Sequence, residues 1–373
     1  MIRLRIISIM KNASYFIAAL LLAACCACSK KPADSPKDQL MRRLLSFAEE
    51  GKIAYGHQDD LPYGHAWVLE DWENDSLDRS DVKEVTGHYP MVMGFDLGDI
   101  EHGADKNLDG VPFGLIRKAA LKHIERGGIV TFSWHPDNIL TGGDAWDVSS
   151  NKVVESVLPG GEKHAEFMEW LRRGADFVES LGNVPIIFRP WHENTGSWFW
   201  WGADLCTPQQ YIEFFRMTWL YFVKERGLIN LVWCYSPDGW ASDIEGYMER
   251  YPGDEFIDLL GLDTYAFTGI DADESASRFT ECLKKDLVSL CAVSVEHKRP
   301  ICLSETGLEG IPNPKWWTEV LYPAVKDFPI TYLLTWRNAW DKPGHFYAAW
   351  KGFENEADFK AFCDLDQILF LDE

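Results

Sequence analysis

Residues 184–193 read Val-Pro-Ile-Ile-Phe-Arg-Pro-Trp-His-Glu, an apolar stretch that runs directly into charged and aromatic side chains. Its apolar residues follow one another almost without interruption instead of alternating with polar residues, which is typical of a strand buried on both faces. Seven more runs of this kind recur along the chain. The eight predicted strands are 53–57, 91–96, 129–135, 184–193, 228–237, 259–265, 301–307 and 330–338.

Longer segments with helical apolar periodicity separate the strands, as at 113–126, 163–181 and 209–225, and another precedes the first strand at 38–51. Strands of this kind that alternate with helices indicate a parallel sheet covered on both faces. Eight strand–helix units predict an α/β fold, a closed (β/α)8 (TIM) barrel, which forms a single domain over residues 38–373.

Most of the predicted strands end in polar or aromatic residues. These strand-end residues are Asp96, His135, His192, Glu193, Asp263, Tyr265, Glu305, Trp336 and Arg337. In a barrel the carboxyl ends of all strands meet on one face, which carries the active site. We therefore expect Glu193, at the end of the fourth strand, and Glu305, in the seventh, to face each other across one cleft.

Two facing carboxyl groups can hydrolyse a glycosidic bond, one as acid/base and the other as nucleophile. A separation of about 5–5.5 Å between them would mean retention of anomeric configuration. The acid must keep its proton, so its pKa must be raised by apolar neighbours or like charge. Tryptophans and a phenylalanine surround Glu193 in sequence, so we assign Glu193 as the acid/base and Glu305 as the nucleophile.

Three motifs resemble glycoside hydrolase family 26: Arg-Pro-Trp-His-Glu at 189–193, Gly-Ser-Trp-Phe-Trp-Trp-Gly at 196–202 and Ser-Glu-Thr-Gly at 304–307. The resemblance extends from about residue 40 to the end of the chain. It implies a β-1,4-mannan hydrolase that acts by a retaining double displacement without a cofactor. The family's acid/base and nucleophile match Glu193 and Glu305.

The resemblance also implies five substrate-binding residues. His135 resembles a histidine that lines the non-reducing side of the cleaved bond, and His192 resembles the histidine beside the acid/base. Tyr265 resembles the tyrosine that hydrogen-bonds the nucleophile. Trp336 resembles the platform under the sugar being cleaved, and Trp198 a residue on the leaving-group side. Each could instead serve packing or a hydrogen-bond network, whereas Trp200 and Trp201 are expected to be structural.

The sequence predicts no metal site. Residues 105–110 match the start of a calcium loop, but its twelfth position is Ile116 rather than the required glutamate, so an acidic turn is expected. His192-Glu193 lacks the second histidine of a zinc-binding HExxH motif. The cysteines lack CxxC spacing, and Cys234 and Cys302 lie in apolar runs and are expected to be buried thiols.

The first 24 residues have a basic start and a short apolar stretch, which predict a signal peptide. Leu22-Ala23-Ala24-Cys25 resembles a bacterial lipobox, so we expect Cys25 to be lipidated and residues 25–37 to form a flexible tether. Cys26, Cys28 or an unlipidated secreted product are alternatives. This arrangement predicts an envelope protein of a Gram-negative bacterium, anchored at the periplasmic face or the cell surface.

The net charge of −22 argues against a nucleic-acid partner and is compatible with a neutral polysaccharide. A monomer is the default expectation. The sequence leaves open an enzyme that releases mannobiose from chain ends, or one that acts on xylan or mixed-linkage glucan. A surface glycan-binding protein without activity is a third reading, which the presence of both glutamates opposes.

Overall fold

The predicted strands form a closed parallel barrel in the computed structural model of the chain, which describes residues 34–239 and 243–371. Each strand pairs with the next, and β8 pairs with β1 through Ala54↔Tyr332 and Gly56↔Leu334, which closes the ring. The strands are β1 Ile53–Gln58, β2 Val92–Asp96, β3 Ile129–Trp134, β4 Ile186–Pro190, β5 Leu231–Tyr235, β6 Leu259–Tyr265, β7 Ile301–Gly307 and β8 Ile330–Thr335. The predicted (β/α)8 fold is confirmed.

Burial explains why the strands read as continuous apolar runs. Every residue of the barrel strands is buried except Tyr265, at the end of β6, which is partly exposed. One face of each strand fills the barrel interior and the other packs against the helices. A polar residue inside such a strand therefore has to find a partner within the barrel.

The helices surround the barrel. They are α1 Pro36–Glu49, α2 Asp81–Thr86, α3 Phe113–Glu125, α4 Val153–Val157, α5 His164–Ser180, α6 Pro208–Trp219, α7 Ile244–Met248, α8 Ala272–His297, α9 Tyr322–Val325 and α10 Glu356–Cys363. The four predicted helices correspond to α1, α3, α5 and α6, and α6 continues through a π-helical turn, Leu220–Glu225. Within the described ranges, no helix has the length and apolar character to cross a membrane.

Local sequence sets the start of α6. The Thr207 side chain accepts a hydrogen bond from the Gln210 backbone, and the Gln210 side chain accepts one from the Thr207 backbone. Pro208 occupies the first helical position, where its missing N–H costs nothing. This capping box starts the helix directly after the loop that follows β4, so it anchors the end of that loop.

Two short strands extend the sheet at the amino end of β1, opposite the polar strand ends. Strand Ile368–Leu371 pairs in parallel with the start of β1 through Ile53↔Ile368, and it pairs antiparallel with Tyr89–Pro90. These two short strands therefore lie at the amino end of β1. They leave the carboxyl ends of the strands free to carry long loops.

The prediction that the fourth strand runs to Glu193 was wrong, because β4 ends at Pro190. Proline has no N–H to donate to a neighbouring strand, and Trp191 has a positive φ of 57°, which turns the chain away. Likewise β8 ends at Thr335, short of the predicted Asn338, and β3 ends one residue before His135. The site residues thus lie on loops just beyond the barrel.

Cys234 in β5 and Cys302 in β7 are fully buried free thiols, as predicted. The cysteines at 206, 282, 291 and 363 are also free. The predicted signal peptide, residues 1–24, and the lipidation residue Cys25 lie outside the described residues. So does most of the predicted tether, while α1 begins at Pro36.

Candidate active site

The seven predicted site residues all lie at the carboxyl ends of the barrel strands. Tyr265 and Glu305 belong to the ends of β6 and β7. The other five lie on loops that begin where β3, β4 and β8 end: His135, His192, Glu193, Trp198 and Trp336. Hydrogen bonds described below join six of them in pairs, and Trp336 packs edge-on against His135 with ring centroids 6.1 Å apart.

Glu193 lies on a strained turn. Trp191 and Glu193 have φ values of 57° and 52°, in the left-handed region that bulky residues rarely adopt. Three hydrogen bonds hold the turn. The Glu193 N–H donates to Ser236 O at 2.8 Å, Trp201 Nε1–H to His192 O at 2.8 Å, and Tyr211 OH to Trp191 O at 2.7 Å. Because the surroundings fix this turn, Glu193 is preorganised.

The Glu193 carboxyl group has the environment of an acid. Burial, together with the negative charges of Glu305 and Asp263, raises its pKa well above the ordinary value. Trp198 Nε1–H donates to Glu193 Oε2 at 2.6 Å and partly opposes that rise. Glu193 therefore keeps its proton at a pH at which an ordinary glutamate would lose it.

Trp200 and Trp201, expected to be structural, are fully buried. Trp200 Nε1–H donates to Pro136 O at 3.0 Å, which connects the loops that follow β3 and β4. Trp201 holds the turn before Glu193. Trp198 differs from both, because it is 41% exposed and can offer a ring face to a ligand.

Glu305 has the opposite environment from Glu193. The Arg189 guanidinium contacts Glu305 Oε1, and Tyr265 OH donates to Glu305 Oε2 at 2.7 Å. Both contacts suit a carboxylate anion and fix its direction. The hydrogen bond that the resemblance implied for Tyr265 is present in the structure.

Arg189 also binds a second carboxyl group. Its Nη1 lies 2.9 Å from Asp263 Oδ2, and Ser304 Oγ–H donates to Asp263 Oδ1 at 2.6 Å. Burial, opposed by Arg189 and reinforced by Glu305, raises the pKa of Asp263 to about 8. Arg189 thus lies between the carboxyl groups of Asp263 and Glu305 and contacts both.

A hydrogen-bonded chain runs from β2 to His192, the residue before Glu193. Asp96 Oδ2 accepts from His135 Nδ1 at 2.6 Å, and His135 Nε2 lies 3.0 Å from His192 Nε2. Although burial opposes it, the Asp96 carboxylate raises the pKa of His135. Burial, Arg189 and His135 lower the pKa of His192 well below its ordinary value. A proton on this pair of rings therefore favours His135 over His192.

The sequence analysis gave no role in this site to Asp96, Arg189, Asp263 or Trp146, although Asp96 and Asp263 were among the predicted strand-end residues. The first three are charged residues inside or at the end of apolar strands, which was the available signal. Trp146 lay in a long loop without any pattern. It is 48% exposed and stacks on His135, with ring centroids 5.3 Å apart and planes 13° apart.

One group of side chains could hold a metal ion. The ligand atoms of Asp99, Glu101, His102 and Asp137 lie within 4.8 Å of one another. The two Glu101 oxygens already accept hydrogen bonds from Trp134 Nε1 at 3.0 Å and from the Asp137 backbone at 2.8 Å. His102 Nε2 lies 2.9 Å from Asp137 Oδ2. These contacts account for the group as a connection between the loops that follow β2 and β3.

The acidic turn at 105–110 is held against another loop through contacts of Asp109. Its carboxylate lies 2.9 Å from Arg337 Nη2, and its backbone carbonyl accepts from Trp340 Nε1 at 3.3 Å. The turn thus connects the loop after β2 to the loop after β8, beside Trp336.

Comparisons with known proteins agree on one family. The family model described as Glycosyl hydrolase family 26 matches residues 36–304. A solved β-mannanase of this family from Bacteroides ovatus is 44% identical, has a TM-score of 0.83, and is matched over 91% of this chain and 96% of that one. The catalytic domain of an endo-β-1,4-mannanase from Bacillus sp. JAMB-750 is 28% identical, with a TM-score of 0.79 and coverages of 92% and 94%.

A mannan endo-1,4-β-mannosidase of Bifidobacterium adolescentis is 33% identical over 85% of this chain. The chain spans 34% of the length of that relative.

Proposed function

The chain belongs to glycosyl hydrolase family 26, and we propose that it hydrolyses β-1,4-mannosidic bonds within mannan, glucomannan or galactomannan, with retention of anomeric configuration. The observation that carries the proposal is the contrast between two carboxyl groups at one barrel mouth. Glu193 is held in surroundings that keep its proton, whereas Glu305 is held by a guanidinium and a phenol that favour its anion.

The proposed reaction has two steps. Glu193 donates its proton to the leaving glycosidic oxygen while the Glu305 carboxylate attacks the anomeric carbon, which forms a covalent glycosyl-enzyme. Glu193, now ionised, then takes a proton from water, and the water displaces Glu305. Two inversions leave the configuration unchanged. Arg189 and Tyr265 orient Glu305 for both steps.

Exposed and half-buried aromatic rings support a sugar substrate. Trp336 and Trp146 lie on either side of His135, and Trp198 lies against Glu193. Flat rings match the apolar faces of hexoses, and His135 and His192 can serve hydroxyl groups near the cleaved bond. Mannan is proposed as the substrate because the similar Bacteroides ovatus and Bifidobacterium adolescentis proteins are described as mannan-degrading enzymes.

A second mode of action has one observation in its favour. Asp109 connects the loop after β2 to the loop after β8 through Arg337 and Trp340, next to the Trp336 platform. Such a connection could close one end of the cleft, which would favour release of mannobiose from chain ends. Action on xylan or mixed-linkage glucan and binding without hydrolysis are the remaining alternatives.

One experiment separates these possibilities. The protein lacking residues 1–28 is incubated with unsubstituted mannan, glucomannan, xylan and mixed-linkage glucan, and the products are followed over time. Mixed oligosaccharides from mannan support the endo mode, and mannobiose alone from the earliest times supports the exo mode. Products from xylan or glucan alone would overturn the proposed substrate but keep the mechanism. A wild type that binds mannan without cleaving it would refute the proposed enzymatic activity.

Variants then test the roles of the two glutamates. Glu193→Ala and Glu305→Ala should each abolish hydrolysis of mannan, whereas Glu213→Ala, on the exposed surface of α6, serves as the matched control. Proton NMR of the first product should show the β-anomer if configuration is retained. Appearance of the α-anomer first would refute the covalent intermediate.

We also propose that lipidation at Cys25 anchors the protein to the envelope as a monomer. The motif at Leu22–Cys25 supports this. Wild type should sediment with membranes, and Cys25→Ser should be released; equal release of both would refute the anchor.

A further inference from the structure

We propose that a pocket between the loops that follow β6 and β7 binds one hexosyl unit of the substrate chain, away from the bond that is cleaved. The pocket has a volume of about 270 Å³, and its apolar walls include Phe267, Ile270, Leu308 and Pro312. This inference rests on the proposed function, since the occupant is a sugar unit of the same substrate.

The position of the pocket connects it to the nucleophile. One wall follows Tyr265, which binds Glu305, and the other follows Glu305 itself. The Ala266 N–H donates to Gly307 O at 2.8 Å and ties the two loops together at the base. Leu308 is three residues beyond Glu305, so their Cα atoms lie within about 11 Å of each other. A polymer held at Glu305 can therefore reach the pocket with a nearby sugar.

The walls are fixed without a ligand. Ser275 Oγ–H donates to Phe267 O at 2.6 Å, and the Gly310 N–H donates to Phe346 O at 2.9 Å. Ile311 has a φ of 43°, a costly conformation for a β-branched residue that the surrounding loop maintains. A preformed pocket spares the ordering cost of binding.

The chemistry of the lining fits a sugar. Hexoses present apolar C–H faces together with hydroxyl groups, and this pocket combines apolar walls with the carboxylate of Glu309. His345 Nδ1 lies 2.7 Å from Glu309 Oε1 and orients it, while the Glu309 side chain stays 39% exposed. That carboxylate and the net charge of −22 oppose an anionic occupant.

The volume and the surroundings limit the occupant to one ring. Ligand pockets commonly measure roughly 300–1,000 Å³, so about 270 Å³ has room for a single hexose rather than an oligosaccharide. Ile270 is 38% exposed at the mouth, where the rest of the chain would leave.

The test compares substrates that reach the pocket with one that does not. Kinetics are measured on mannohexaose and on a 4-nitrophenyl β-mannobioside for wild type and for the double variant Ile270→Ala, Glu309→Gln. The matched control is Ile229→Ala, an exposed isoleucine just before β5, on the opposite face of the barrel. We expect KM for mannohexaose to rise about tenfold with kcat unchanged, the scale of losing one sugar contact, and no change on the short substrate.

The possible outcomes distinguish failure of the subsite proposal from failure of the proposed function. If the double variant matches Ile229→Ala on mannohexaose, or is impaired equally on both substrates, the subsite is refuted and the proposed function remains. If the wild type cleaves no mannan oligosaccharide, the proposed function is refuted. In that case calorimetric binding of mannohexaose to the wild type and to the double variant decides the pocket: a Kd about tenfold weaker in the double variant supports the subsite, and an equal Kd refutes it.

Discussion

Removal of a single oxygen atom, in Tyr265→Phe, tests whether the hydrogen bond to Glu305 serves the reaction. The Tyr265 hydroxyl group donates to Glu305 Oε2 at 2.7 Å, and its ring packs edge-on against Tyr347 at 5.5 Å. Phenylalanine keeps the ring and its packing, so the fold should be unaffected. Arg189 remains the only other partner of the Glu305 carboxylate that the described residues provide.

The structure sets the size of the effect. A hydrogen bond to a charged group contributes about 1.5–3 kcal/mol. In the proposed reaction this bond orients Glu305, whose charge disappears as the covalent bond to the sugar forms, so its loss should disturb both the attack and the departure of the carboxylate. At about 1.4 kcal/mol for each factor of ten, kcat/KM on mannan should fall roughly 10- to 150-fold.

The assay is the initial rate of reducing-sugar release from mannan at several substrate concentrations. The matched control is Tyr322→Phe, which removes a hydroxyl group that donates to Gln367 Oε1 at 2.6 Å, remote from the site. We expect the control to keep the wild-type kcat/KM. A Tyr265→Phe enzyme within twofold of the wild type, with the same melting temperature, would refute the reasoning.

Three further perturbations act through single protons. Burial and nearby carboxylates raise the pKa of Glu193, whereas the hydrogen bond from the Trp198 N–H lowers it. Trp198→Phe removes that hydrogen bond, so the alkaline limb of the kcat/KM profile should move to higher pH, and a limb at lower pH contradicts this. Asp96→Asn removes the carboxylate that raises the pKa of His135, so NMR should find His135 titrating at lower pH, and an unchanged titration would oppose the assignment. Burial lowers the pKa of His123 from 6.5 to about 4, so between these pH values the unfolded chain binds more protons than the folded protein. The free energy of unfolding should therefore drop by up to about 3 kcal/mol as the pH falls from 6.5 to 4. Urea unfolding of His123→Gln should lack that part of the decrease, and an equal decrease in both proteins would exclude His123 as its source.

The barrel could be predicted because burial on both faces leaves a strong mark on the sequence. Each strand is a short apolar run, and its polar end identifies the face that carries the site. Tyr265 and Glu305 were found in this way, since both lie at the ends of strands, in β6 and β7. Helix ends such as the Thr207–Gln210 capping box are equally local, which explains why the predicted helix bounds were close.

The turn at Trp191–Glu193 could not be predicted, because no glycine marks its positive φ values. Distant partners impose it: Ser236 from the end of β5, Tyr211 from α6 and Trp201 from the same loop. The pattern of neighbouring residues in the sequence does not reveal such long-range hydrogen bonds. The partners of Arg189 were missed for a related reason, since they depend on which inward-facing positions of β4, β6 and β7 meet inside the barrel.

The roles that we propose for the two glutamates depend on the position of one cation, Arg189. Glu193, Asp263 and Glu305 are close enough for their charges to interact, so ionising all three in a partly dry site would be costly. Arg189 contacts Glu305 and Asp263, whereas the hydrogen bond that Glu193 accepts comes from the neutral Trp198. Burial raises the pKa of Glu193 well above its ordinary value and raises that of Asp263 to about 8, whereas Glu305 has a guanidinium and a phenol donor as its neighbours. The roles that we propose for Glu193 and Glu305 are thus distinguished by their neighbours, since the two side chains are chemically identical.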